Sequence, residues 1–371
     1  MRINVLKIGA RIAFNANDTS AGNGEARCLV DILHSVGADI HIYTKILNRD
    51  ILVNSFSWHD IENSEIPNEG VLLVFNGNIN FFGGEENRLD LLNYKYINNF
   101  KGKIFYLYSD TDLTLRQCWG SVEKKSWGSK WDRQDIEITR DDITYISQGS
   151  NTQAILNRLK EKSKYGIVVP ENVVHFPIEK FPLISYAQLE ANLTPQVDLI
   201  YGGTMRGGKR EKKMIEYFFD HPEDINVEMF GKINPEKFSE KNISKVSRFP
   251  VFSGPVKFNE FPQKLNSSIA HMVIGDPIFA SFEHITCRVY ESIRANVVTF
   301  IHSEMDPIHK VYGDSEIGKF LYIDNKEQLI NRIRMIKKST KLWSSILDFQ
   351  KKKTQIDSQE YGKELLRILS E

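Results

Sequence analysis

The stretch Ile200 to Met214, IYGGTMRGGKREKKM, runs from an apolar strand into a glycine turn and then to two arginines at the head of a helix. That order of residue types suits a diphosphate. Gly202, Gly203, Gly207 and Gly208, around Thr204, let backbone amides approach a ligand, and the helix that follows turns its positive end toward it. Arg206 and Arg210 add forked donors that match phosphate oxygens. A solvated, basic helix start is the plainer reading of the same letters. Asp110 closes the apolar run FYLYSD, where a carboxylate can be held with a tuned proton affinity and serve as a base; an aspartate capping a turn is the alternative. Asp110 and Asp112 also form a DxD pair, but with two arginines available to neutralise a diphosphate, Asp112 reads as a surface residue rather than a metal ligand. Arg288 and Glu291 lie three apart and share a helix face among apolar neighbours, so they point inward either as a nucleotide-binding pair or as a simple intrahelical ion pair.

Holding these groups requires a scaffold, and the chain alternates short apolar strands with helical patterns, the signature of βαβ units and parallel sheets. Strands are expected near Asn4 to Ile8, Asp39 to Tyr43, Val71 to Phe75, Lys103 to Tyr108 and Ile143 to Ser147. Helices are expected at Gly24 to Val36, Glu86 to Asn98 and Thr152 to Lys160. The second half repeats the scheme, with strands at Val197 to Tyr201, Asn226 to Phe230, Ala270 to Ile274, Val297 to Ile301 and Phe320 to Ile323. Its helices are expected at Lys209 to Asp220, Ile285 to Ala295 and Lys326 to Lys338. A length of 371 residues exceeds what one core usually holds, so two domains are expected, 1–180 and 181–354, with a cleft as the default site. The segment Phe176 to Pro195, with three prolines and little periodicity, reads as the linker. The amphipathic tail, about residues 355–371, is expected to pack back on the first domain. In doubly wound sheets ligands gather beyond the carboxyl ends of the strands, which singles out Asn76 to Gly84, Asp110, Gly202 to Arg210, Gly231 and Gly275-Asp276.

Composition narrows the function. Basic and acidic residues balance at 48 each, so no global field draws the protein to nucleic acid and any such contact is local. Lys124, Lys125, Lys130 and Arg133, interleaved with Trp127 and Trp131, form one such patch, whereas Lys351 to Lys353 read as a solvated face. The apolar runs are too short to span a bilayer, the N-terminus reads as a first strand rather than a leader, and three scattered cysteines fit reduced thiols. A cytoplasmic protein without membrane contact is expected.

Seven separated segments, in order, resemble the DNA β-glucosyltransferases of T-even bacteriophages. They are NINFFGG at Asn78 to Gly84, FYLYSD ending at Asp110, ISQG at Ile146 to Gly149, FPIE at Phe176 to Glu179, IYGG with its arginines, PVFSG at Pro250 to Gly254, and VIGD followed by ITCRVYE ending at Glu291. The resemblance implies an α/β GT-B fold, two Rossmann-like doubly wound domains facing across a cleft. The first binds DNA and acceptor, the second a UDP-sugar. It further implies a monomer that, in the cytoplasm of an infected bacterium, moves a sugar with inversion onto the hydroxymethyl group of 5-hydroxymethylcytosine in flipped-out duplex DNA.

By the same resemblance Asp110 is the general base. Gly203, Thr204, Arg206, Arg210, Gly231, Val256, Phe258, Arg288 and Glu291 bind the nucleotide, with the uracil held near Gly231, Val256 and Phe258. Glu25, read from sequence alone as an acid in the first helical turn after a GNG turn, and Asp276 face the sugar. Asn80, Phe82 and Gly83 enter or prop the duplex, and the Lys124 to Arg133 segment closes over phosphates. Mg2+ or Mn2+ assists turnover. The chain departs from the family before Glu25 and in the loop PIFASFEHI after Asp276, so UDP-glucose is expected ahead of another donor such as UDP-arabinose, and another hydroxylated pyrimidine remains an alternative acceptor. A GT-B enzyme acting on a non-DNA acceptor and a non-catalytic DNA-binding protein are the rival classes.

Overall fold

The computed structural model describes residues 1–7, 21–44, 56–61, 63–67, 69–75, 96–108, 142–154, 157, 172–192, 194–205, 209–275 and 278–371. The chain divides into two compact units: residues 1–178, 281–284 and 357–371 form one, and 179–280 with 285–356 the other. Among the described residues no helix is long and apolar enough to cross a membrane.

In the first unit the described strands are β1 (Arg2–Lys7), β2 (Asp39–Thr44), β3 (Ser57–Asp60), β4 (Val71–Phe75), β5 (Lys103–Tyr108), β6 (Thr144–Ser147) and β7 (Asn172–His175). They pair parallel in the order β3-β2-β1-β4-β5-β6-β7, with the chain reversing its direction of winding between β1 and β4. Central strands are largely apolar because helices cover both faces of such a sheet; Ile3, Val5, Leu72 and Val74 are fully buried, and Asn4, a buried polar side chain in β1, donates to the Val71 carbonyl at 3.2 Å. Helix α1 (Ala21–Ser35) packs Leu29, Val30 and Leu33 inward. It begins three residues earlier than the sequence suggests, so Gly22 and Gly24 are helical rather than a turn, and Glu25 lies beyond the first helical turn.

The C-terminal helix, Ser358–Ser370, belongs to this unit. Asp357 caps it by accepting from the Gln359 and Glu360 amides at 2.8 and 3.0 Å. Tyr361, Leu365, Ile368 and Leu369 form its buried stripe. The Tyr361 hydroxyl donates to the Pro177 carbonyl at 3.0 Å and the Lys103 ammonium to the Ser370 carbonyl at 2.8 Å. Gly362 faces α1: a Cβ there would sit 2.7 Å from Val36 Cγ1.

The second unit carries β8 (Val197–Thr204), β9 (Val227–Lys232), β10 (Val251–Ser253), β11 (Ser268–Val273), β12 (Val298–His302) and β13 (Tyr322–Ile323). All are parallel, in the order β10-β9-β8-β11-β12-β13, so the reversal falls between β8 and β11. Helices α2 (Lys209–Phe218), α3 (Phe261–Asn266) and α4 (Cys287–Arg294) follow β8, β10 and β11, with Lys326–Lys338 and Thr340–Lys353 beyond β13. Phe320, expected in a strand, instead closes the short helix Glu316–Phe320. The proline-rich stretch 176–195 is anchored rather than free: Phe176, Ile178 and Phe181 are buried, and Pro182–Ser185 is helical.

Glu179 opens this unit with 1% exposure, and among the described residues neither carboxylate oxygen has a hydrogen-bond partner beyond its own backbone amide. Burial pushes its carboxyl up to about 8, against the pull of Lys310 and Lys180. A raised folded-state pKa favours the protonated native form. The stabilisation is therefore complete below the unfolded value near 4.5 and is lost as pH rises through about 8. Glu179→Gln is expected to flatten that pH dependence and to stabilise the protein above pH 8 by roughly 3 kcal/mol or more, read from denaturant midpoints across pH; identical slopes in both proteins would refute the assignment. Gly362→Val should overpack the contact with α1 and cost about 2 kcal/mol, seen as a lower unfolding midpoint.

Candidate donor-nucleotide site

The second sheet brings together most of the described candidates at the carboxyl ends of its strands, beside its point of reversal, where open α/β sheets bind ligands. Strands β8 and β9 end in a close backbone approach. Gly203 is in register with Gly231, whose φ of +120° only glycine adopts readily and whose missing Cβ would collide with the Gly203 carbonyl oxygen. The Gly231 amide donates to the Gly254 carbonyl at 3.2 Å, tying in the end of β10. Gly203 is half-buried and Thr204 exposed, so this edge is open to a ligand.

Arg210 stands in the first turn of α2. The neighbouring Glu211 holds that turn: its Oε1 accepts from the Ser239 amide, the Ser239 hydroxyl and the Asn242 side chain at 2.8–2.9 Å. Burial works against the Glu211 carboxylate, but these bonds outweigh it and keep its pKa below the ordinary value. Arg210 Nη2 comes within 3.8 Å of the place a Cβ would occupy on Gly275, just after β11. The same Cβ would strike Met305 Cε at 2.5 Å, so glycine at 275 makes room for the Met305 side chain, while the Arg210 guanidinium lies at ordinary contact distance from the end of β11.

Helix α4 is capped by Thr286, whose hydroxyl accepts from the Arg288 amide at 3.5 Å. Arg288 Nη1 donates to Glu291 Oε2 at 2.7 Å, and the guanidinium lies over the Phe261 ring at 4.0 Å from its centroid. Glu291 is 1% exposed and the Arg288 side chain 24%. Burial opposes the charge on Glu291 and Arg288 pulls it back. Glu291 in turn outweighs the burial of Arg288 and holds it cationic. Phe261 also faces Gly202, where a Cβ would meet its ring at 2.9 Å and that of Phe230 at 2.6 Å. Val256 is half-buried against the cluster of Ile200, Phe230 and Phe261, and Phe258 opens the 3-10 turn Phe258–Glu260.

The remaining candidates fall differently. Asp110, Arg206, Asp276, Asn80, Phe82, Gly83, Lys124, Lys125, Lys130 and Arg133 lie outside the described residues, as does the side chain of Glu25. The ISQG segment ends β6, where the Ser147 and Thr152 hydroxyls lie 2.7 Å apart and a Cβ on Gly149 would stand 2.5 Å from the Phe282 carbonyl. Sequence reading missed three partners: Phe261 beneath Arg288, and the pair that His271 of β11 forms with Ser292 of α4. A histidine inside the otherwise apolar strand SIAHMV was the available signal.

Residues 1–183 match the family model of the bacteriophage T4 β-glucosyltransferase. The chain is 29% identical over 351 residues to the DNA β-glucosyltransferase of Enterobacteria phage T4, covering 94% of this chain and 93% of that one. Along almost its whole length the chain is similar to the T4 β-glucosyltransferase. Crystal structures of the T4 phage enzyme superpose over the whole of both chains. The complex with UDP and Mn2+ does so at a TM-score of 0.78 and 26% identity, the complex with UDP-glucose at 0.77 and 25%. The α/β architecture is thus that of the T4 β-glucosyltransferase family, GT-B with two Rossmann-like units.

If Arg288 and Glu291 sustain each other, removing one partner must strand the other. Glu291→Ala is expected to cost about 3–5 kcal/mol, while Arg288→Met combined with Glu291→Leu should recover most of it. Chemical denaturation of the three variants reads this directly, and a double variant no more stable than Glu291→Ala would contradict it.

Proposed function

We propose that this chain is an inverting, UDP-sugar-dependent glycosyltransferase that modifies DNA, moving glucose from UDP-glucose to the hydroxymethyl group of 5-hydroxymethylcytosine in a flipped-out base. The observation that carries it is the cluster at the ends of β8, β9 and β11: glycine-bared backbone, Arg210 at a helix start, and the inward Arg288–Glu291 pair, in a chain related along 94% of its length to a DNA β-glucosyltransferase. The second unit is the donor-binding domain and the first the DNA- and acceptor-binding domain, acting as a monomer in the infected cell.

In this reading Arg206, Arg210 and Arg288 neutralise the diphosphate, and Glu291 accepts from the ribose hydroxyls. The uracil lies by Gly231, Val256 and Phe258, with Gly203 and Thr204 at the phosphates and Glu25 and Asp276 toward the sugar. Asn80 fills the gap left by the flipped base, Phe82 and Gly83 support it, and Lys124, Lys125, Lys130 and Arg133 hold the DNA backbone. Asp110 takes the acceptor hydroxyl proton as that oxygen attacks the anomeric carbon. The bond from the anomeric carbon to the phosphate oxygen breaks on the opposite face, and UDP departs with the electron pair. Mg2+ or Mn2+ would add charge neutralisation at the diphosphate. Among the described residues no cluster of His, Cys, Asp and Glu gathers to hold one.

The loop between Asp276 and Ile285 favours testing the donor broadly, since hydrogen-bonding sites discriminate sharply among hydroxyl patterns. Incubating hydroxymethylated duplex DNA with a panel of UDP-sugars, followed by digestion and mass spectrometry of the nucleosides, should show a hexose adduct from UDP-glucose. A pentose adduct alone would move the donor to UDP-arabinose, and UDP release indifferent to DNA would move the acceptor away from nucleic acid. Asp110→Ala should abolish transfer and leave UDP affinity nearly unchanged in calorimetry; a parallel loss of UDP affinity would remove it from the role of base.

A further inference from the structure

His271 sits in the middle of β11, the strand next to β8 at the point of reversal, and is 1% exposed. Its Nδ1 lies 2.5 Å from the hydroxyl of Ser292, itself fully buried in α4, and that hydroxyl lies 2.7 Å from the backbone carbonyl of Arg288. A hydroxyl has one proton. With that proton committed to the carbonyl, Ser292 must accept from the imidazole, so Nδ1 carries the hydrogen and Nε2 a lone pair. Nε2 has no hydrogen-bond partner among the described residues. An apolar side chain would fill the same place in this strand without leaving a buried acceptor unsatisfied.

The expense is explained by what the chain of bonds reaches. It runs from the sheet to the residue whose guanidinium lies over Phe261 and grips Glu291. Burial above all, with the nearby Arg288 charge adding to it, brings the His271 pKa down to about 3, so the ring is neutral throughout the physiological range. A neutral ring sets no like charge against Arg288 and keeps Nδ1–H as a fixed donor.

We infer that His271 is a positioning residue for the nucleotide clamp, fixing the first turn of α4, and with it Arg288 and Glu291, through Ser292. The inference rests on the proposed binding of a nucleoside diphosphate by that pair. His271 touches no reacting atom, so its contribution is to donor affinity rather than to the chemical step.

Isothermal titration of UDP into the full-length protein and its His271→Ala, His271→Asn and His271→Gln variants tests this. An asparagine amide reaches the position of Nδ1 and a glutamine amide that of Nε2, so the two separate a specific donor from mere filling of space. Alanine should weaken UDP binding by about fivefold to tenfold, asparagine should restore it to within about twofold, and glutamine should not. Unchanged affinity in His271→Ala, or asparagine and glutamine behaving alike, overturns the inference. Should the alanine variant fail to fold, the asparagine–glutamine comparison decides alone. Failure of the unaltered protein to bind UDP would overturn the proposed function and the inference with it, whereas tight binding by the unaltered protein and all three variants defeats only the role of His271.

Discussion

The proposed donor site depends on a carboxylate kept almost wholly out of water. Glu291 can stay there because a guanidinium 2.7 Å away compensates its charge, and that guanidinium needs the flat face of Phe261 beneath it. Phe261 in turn has room because residue 202 carries no side chain. A glycine in a strand, a ring on the helix packed beside it and an ion pair on the next helix therefore form one linked constraint. None of the three is interpretable alone, since each position would be read as ordinary core or ordinary surface without the other two.

Strand order gives the constraint its setting. The six strands of the second sheet and the first six of the first sheet follow the same sequence of neighbours, so each unit has a reversal beside its first strand. At such a reversal the loops leaving two adjacent strands diverge to opposite faces, leaving an opening that neither loop fills. In the second unit that opening is lined by Arg210 and Gly275, from the elements that diverge there. The backbone approach of Gly203 and Gly231 extends it along the neighbouring strand end.

Much of this was legible in the sequence. Val71–Phe75, Lys103–Tyr108 and Lys326–Lys338 have the bounds that apolar periodicity assigns them, because buried strands are continuous apolar runs and amphipathic helices carry a clear stripe. The strands that escaped notice, Ser57–Asp60, Asn172–His175 and Val251–Ser253, all lie at sheet edges. Edge strands are short and half-solvated, so their residues need not be apolar and leave little pattern to read. Arg288 and Glu291 were found by helical spacing, and Arg210 by its place after a glycine turn. Phe261, His271 and Ser292 were not, because their importance comes from contacts between elements distant in sequence. The start of α1 was misjudged because Gly22 and Gly24 look like a turn, yet the helix runs through both.

The helix Ser358–Ser370 adds a consequence for biosynthesis. It closes over α1 in the unit formed mainly by residues 1–178, so that unit lacks one of its own walls until residues 358–370 have been made. Domains commonly fold in order as they leave the ribosome. Here the unit begun first is completed only after the second has been made, and until then the α1 surface near Ile32 and Val36 stays uncovered and open to chaperone capture.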